Sequence, residues 1–372
     1  MTHLFVVLRH LKRRSARTLI TVLGIALSAG ACFAVTGLVQ SFERSIQRGL
    51  DETGADFIVA PKGAFALAGS SVPQDLVEKL KPLPIVESAT GILFTMMTID
   101  KTYNIAILGR PVETFHRMPM VRIEGRMPTA AGSGEVVLGD RMAKQMGKKV
   151  GDTLDIDFVP FKVSAIVEYD TYMNRNLVVL PLQDLQKLSQ RESTVSMIEV
   201  RLKRPLAAAS LDANQAAVAS AVAPFDVMDA PDYVRTMHLN KMIGSVSDAV
   251  AAILLLITVM IVANTMLMSV SERAYEFGVL SALGWNRGAI TKIVVTEALL
   301  LTLVGAILGL IIGSIAITTA DEVPQQPVFG LPIHPLAAGK IFLAVLVSGL
   351  VGAIYPVRKT LRMNAVDALR KA

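Results

Sequence analysis

Glu272, Arg273 and Glu276 fall within about one helical turn, in the run 272–290 between two long apolar stretches. They make the run amphipathic and mixed in charge. Val279, Leu280 and Leu283 follow at helical spacing, and Gly278, Gly284 and Gly288 punctuate the run. A short amphipathic helix held between two membrane spans cannot move without moving both. It is a natural place for a soluble partner to push. A plain solvated connector is the alternative.

Other chemistry is missing. No G-x-x-x-x-G-K-[ST] occurs, because the Gly-Lys pairs at 147–148 and 339–340 lack the upstream glycine and the following Ser/Thr. No His precedes a Glu, so there is no H-E-x-x-H zinc site, and no G-x-S-x-G elbow exists. His3, His10, His116, His238 and His334 are scattered. The chain therefore does not read as an enzyme and offers no cofactor or metal site. One cysteine, Cys32, excludes an internal disulfide and sits in an apolar run as a small buried side chain.

The elements around the connector are membrane spans. Of 372 residues 52% are hydrophobic, and the mean hydropathy is +0.50, too apolar for an ordinary soluble domain. Uncharged runs cover 18–40, 249–271, 298–320 and 341–357. The first three have about 23 residues and the last about 17, enough to cross a bilayer. The first is long for a signal-peptide core and no small-residue cleavage site follows it, so it reads as an uncleaved span. Within the spans Gly305, Gly309 and Gly313 mark a helix-packing face, either inside the subunit or at a dimer seam. Gly24 and Ser28 hint at a second such face. Asn264 and Thr265 suit hydrogen bonds across helices better than substrate contact.

Basic residues set the orientation. Five precede the first span, Arg273, Arg287 and Lys292 lie in the connector, and five follow the last span; residues 321–339 hold none. Amino terminus, connector and tail are then cytoplasmic. The net charge of +6 is clustered beside apolar runs, which suits anionic lipid and not nucleic acid. Residues 1–17 read as an interfacial helix, with spans at 18–40, 246–271, 291–320 and 338–357. The coupling segment is 272–290, the outer loop 321–337 and the tail 358–372.

Residues 41–245 form a large extracytoplasmic α+β domain. Strand patterns occur at 56–60, 88–99, 104–108, 135–138, 153–158, 162–167, 177–180 and 196–202; helical ones occur at 74–81, 140–146, 182–190 and 206–221. A β-rich lobe is placed at about 104–170. Pro231 starts a polar-sided stalk helix that continues into the second span.

The run N-T-M-x-M-S-V-x-E-R-x-x-E-x-G-x-L-x-A-L-G-W, from Asn264 to Trp285, resembles the link between the second and third spans in permeases of the MacB/FtsX/LolCE superfamily. Gly125-Arg126-Met127-Pro128, Val150-Gly151-Asp152 and the closing Tyr355-Pro356 and Ala368-Leu369-Arg370 agree, while Arg358 and Asn364 depart from the family's alanine and proline. The resemblance implies a permease subunit in the bacterial plasma (inner) membrane that transmits ATPase motion to export or extract an amphiphilic envelope substrate such as a lipid, lipoprotein, hydrophobic drug or haem. An FtsX-like transducer of an envelope hydrolase is the alternative. The resemblance makes Glu272, Arg273, Glu276, Gly278 and Gly284 coupling residues, with a role as topology anchors the alternative for Arg273 and Arg287. It implies two ABC ATPase subunits holding ATP and Mg, a second copy or a paralogous permease, and a periplasmic adaptor or lipoprotein carrier.

Overall fold

The computed structural model describes residues 15–361 apart from 65, 67, 172, 206–210, 284 and 321–334. Most of the expected interfacial arm, most of the outer loop and the far tail lie outside the described residues, as does Gly284. The described chain forms two compact units, a sheet-bearing one over 41–244 and a helical one from 15–40, 245–320 and 335–361.

The chain starts with the helix α1 (Ser15–Glu52), whose last turns belong to the sheet-bearing unit. There follow β1 (Phe57–Ala60), β2 (Val72–Pro73), α2 (Asp75–Leu80), β3 (Val86–Ile99), β4 (Tyr103–Arg110), β5 (Met120–Gly125), β6 (Glu135–Gly139) and α3 (Asp140–Met146). Next come β7 (Thr153–Ile156), β8 (Val159–Tyr169), β9 (Val178–Pro181), α4 (Leu182–Leu188), β10 (Thr194–Val195), β11 (Met197–Leu202), α5 (Leu211–Val222), β12 (Asp226–Met228) and α6 (Ala230–Thr236).

Ten strands make one mixed sheet in the order β12-β1-β11-β3-β4-β9-β6-β8-β5, with β7 joined to β3 and β8. The long β3 serves two neighbours: residues up to Ile92 pair with β11, and Leu93 onward pairs with β4. Neighbouring residues feed different cores. Val136 and Leu138 enter one cluster and Val137 the other, because successive strand side chains point to opposite faces. A sheet covered on both sides needs continuous apolar strands. The β3–β4 and β7–β8 hairpins turn through two residues of positive φ each, Asp100-Lys101 and Asp157-Phe158, matching the twist of the strands they join.

The stretch expected as a β-rich lobe, about 104–170, lies within the one ten-stranded sheet, in which β4 pairs in parallel with the later β9 through Ile107 and Val178. Strand alternation carries no record of such a distant partner. The edge strand β5 escapes the sequence reading; it is short and mostly exposed, with Val121 and Ile123 alternating with Arg122 and Glu124. The expected strand at 153–158 ends at Ile156, where the turn begins.

The helical unit consists of the first part of α1, α7 (His238–Glu272), α8 (Ala274–Ala282), α9 (Arg287–Ala320) and α10 (Pro335–Leu361). α1, α7, α9 and α10 are long and apolar enough to cross a membrane. Ile20, Leu27, Met260, Ile307, Ile315 and Leu343 stay exposed on them, as expected where lipid replaces water. The expected stalk is corrected here. α6 is separate, capped by Asp229 accepting from Asp232 N at 2.8 Å, and Met237 breaks it from α7.

Small residues let these helices approach. An added Cβ at Gly309 would lie 2.9 Å from both Ala26 O and Gly30 N on α1; at Gly305 and Gly313 it would meet Ile25 at 2.5 Å and Gly30 O at 2.7 Å. Gly24 faces Ile261 on α7, where Ser28 Oγ donates to Leu254 O at 2.5 Å and Thr258 Oγ1 donates to Ser28 Oγ at 3.0 Å. Thr21 and Thr265 hydroxyls join at 3.1 Å, whereas Asn264 is exposed. Gly352 of α10 faces Val259 O on α7, and Gly349 faces Thr302 on α9. Thr21, Ser28, Thr258 and Thr265 thus bond across the α1–α7 contact, as a low-dielectric interior favours.

Candidate functional site

The connector is built differently from a single helix over 272–290. α7 ends at Glu272, Arg273 forms a turn, α8 ends at Ala282, and α9 starts at Arg287, earlier than the expected 291. The bonds Arg273 N→Ser269 O at 3.2 Å and Phe277 N→Arg273 O at 3.0 Å carry helical pairing through the turn. Asn286 caps α9 by accepting from Ala289 N at 2.7 Å, satisfying a donor the helix start leaves open. Phe277 and Gly278 are buried, while Tyr275, Glu276, Leu283 and Trp285 are exposed.

Three ion pairs organise this end of the bundle. Arg17 Nη1 and Nη2 each donate to Glu272 at 2.7 Å, a fork joining α1 to α7. Arg273 turns inward. Its Nη1 donates to Glu297 Oε2 on α9 at 3.1 Å and its Nε to Glu276 Oε2 at 3.2 Å, with the Phe277 ring centroid 4.8 Å away. Ser269 Oγ donates to Glu297 Oε1 at 3.1 Å. The Arg273 and Glu297 side chains are only 6% and 9% exposed. Lys359 Nζ of α10 donates to Ser271 Oγ at 3.1 Å. Polar groups therefore tie all four long helices together at the connector end.

The structure groups the expected residues unevenly. Arg273 and Glu276 are bonded, Glu272 is directed to α1, and Gly278 is buried within α8. Arg273 is a buried anchor and not an exposed contact. Glu297 is not among the expected site residues, because it sits one residue before the uncharged run 298–320. Its signal was that of a lone acid at the border of an apolar run. Arg17 had been counted only with the basic arm.

The sheet-bearing unit holds a second polar cluster. Arg110 Nη2 donates to Glu199 Oε2 at 2.9 Å with side chains 2% and 6% exposed, tying β4 to β11. A cavity of about 40 Å³ adjoins the pair, lined also by Leu50, Phe94, Met118, Met173 and Met197. It has room for a few waters and is far below the roughly 300 Å³ of a small-molecule site.

Among the described residues, four helices long and apolar enough to cross a membrane, with an α+β domain between the first and second, have the architecture of a membrane permease. Residues 18–221, more than half the chain, match the MacB-like periplasmic core domain, and residues 249–365 match the FtsX-like permease C-terminal domain. The chain belongs to the MacB/FtsX family of ABC transporter permeases, which work with an ATPase subunit and carry an extracytoplasmic domain. An uncharacterised ABC transporter permease of Mycobacterium tuberculosis is 27% identical over 357 residues, covering 93% of this chain and 95% of that protein. The pyoverdine export ATP-binding/permease protein PvdT of Pseudomonas fluorescens is 25% identical over 401 residues, covering 95% of this chain and 57% of that protein. The periplasmic region of MacB from Actinobacillus actinomycetemcomitans aligns at a TM-score of 0.38 and 15% identity, covering 51% of this chain and 96% of that one.

Proposed function

We propose that this chain converts the motion of two ATPase subunits, docked on α8, into movement of its spans and extracytoplasmic domain, so exporting or extracting an amphiphilic envelope substrate. Lipid, lipoprotein, hydrophobic drug and haem are the candidates. One observation carries this reading. Tyr275 and Glu276 of α8, with Leu283 and Trp285 just after its end, are exposed, while Arg273 at its base is bonded to Glu297 of α9. Exposed aromatic and aliphatic side chains beside a charge are the makings of a docking surface. The missing phosphate loop supports an ATP-binding partner, as does the partial match to a relative named as both ATP-binding and permease protein. In this reading the ATPase subunits hold ATP and Mg, and a second permease copy or paralogue completes the membrane part. A periplasmic adaptor or lipoprotein carrier receives the substrate.

The test is co-purification. The doubly substituted chain Tyr275→Asp/Leu283→Asp, extracted from its membrane, is expected to insert normally and retain less than about a tenth of the ATPase bound by the wild type. That loss corresponds to about 1.4 kcal/mol of binding. ATPase retained at the wild-type level would refute α8 as the dock.

A further inference from the structure

Glu297 is a carboxylate in a place where an apolar side chain would pack well. It lies on α9 just before the uncharged run 298–320, and both its oxygens are engaged, one by Ser269 of α7 and one by Arg273 of the α7–α8 turn. Arg273 then reaches Glu276, whose side chain is 51% exposed. Ser269, Glu297, Arg273 and Glu276 thus form a bonded row from the inside of α7, across α9, to the surface of α8. Stability alone does not call for such a row. Buried ion pairs are often matched or bettered by apolar residues of similar size. What the charges add is a directed bond that fixes α8 against α9. Phe277 and Leu280 of α8 also pack into the apolar cluster that holds Ile290 and Val294 of α9, but such contacts are non-directional and can slide.

We propose that the Arg273–Glu297 pair is the linkage that makes α9 follow displacements of α8, with Glu297 as its positioning residue. This rests on the reading that α8 receives the ATPase. The Arg17–Glu272 pair does the same for α1 more weakly, because its side chains are 31% and 29% exposed and solvent screens them.

The experiment uses the full complex with its co-purified ATPase in lipid nanodiscs. It compares wild type, Glu297→Gln and the apolar double variant Arg273→Met/Glu297→Leu. Assembly is followed by size-exclusion chromatography, stability by thermal unfolding, and coupling by the stimulation of MgATP hydrolysis over the ATPase alone. The double variant is expected to assemble and to unfold no earlier than wild type. Its stimulated kcat should fall at least tenfold at unchanged KM for MgATP. Glu297→Gln, which keeps an acceptor for Ser269 but loses the charge, should fall between the two. Stimulation within twofold of wild type in the double variant overturns the linkage. Loss of the ATPase from the double variant also overturns it, since the pair would then shape the dock and not transmit from it. Failure of the docking reading shows separately, as ATPase that stays bound to Tyr275→Asp/Leu283→Asp.

Discussion

At the scale of single residues, the informative groups are charged side chains withdrawn from water. Arg273, Glu297, Arg110 and Glu199 are paired, so their desolvation is offset by directed bonds. Asp184 is different. Oδ1 accepts from Gly132 N at 2.7 Å, while Oδ2 is buried with no partner among the described residues. Burial raises its pKa above the ordinary 3.8, against the smaller lowering effects of Gly132 N and Lys187. An acid with a raised folded-state pKa holds its proton more tightly when folded. Its folded state therefore loses stability as pH rises from the ordinary value through the raised one. Asp184→Asn keeps an acceptor oxygen for Gly132 and should unfold at a higher temperature than wild type at pH 7. The gap should close toward pH 4. A gap that does not vary with pH in thermal unfolding of the detergent-solubilised chain would show that burial of charge is not its cause. None of these pairings was legible in the sequence, since each joins residues far apart in the chain.

At the scale of elements, the helices were legible in position and not in bounds. Uncharged length locates a span, but caps and side-chain ties decide where its helix stops, so α9 starts at the Asn286 cap and α7 runs to Glu272. The glycine row on α9 was visible, and its neighbour was not. Periodicity marks a small-residue face without saying which helix covers it. Gly309→Leu should destabilise the bundle by about 1–3 kcal/mol, because the new side chain would press on α1 backbone atoms at 2.9 Å. Gly339→Leu, with nothing within 4 Å of an added Cβ, is the control and should be nearly neutral. Denaturant titration in mixed micelles checks both, and equal effects would mean that α1 yields at the contact.

At the scale of the whole molecule, basic residues cluster beside the connector end of the bundle, and we propose that this end is cytoplasmic. Ser133 is exposed in the sheet-bearing unit, and Cys32 is buried. A cysteine at 133 on a Cys32→Ala background should react with a membrane-impermeant maleimide in intact spheroplasts. Reaction only after the plasma membrane is permeabilised would reverse the topology.

Uncharged runs and strand and helix periodicity were enough to establish a membrane protein with four spans and an α+β domain between the first and second. Both signals are local, set by the chain's own contact with lipid or water. Family membership was equally legible, carried by the run from Asn264 to Trp285. The tertiary structure alone decided that the glycine face meets α1, that β3 joins two halves of one sheet, and that Arg273 turns inward to Glu297. Those are choices of partner between segments distant in the chain, and they follow from how close backbones come and which buried charges find a counter-charge.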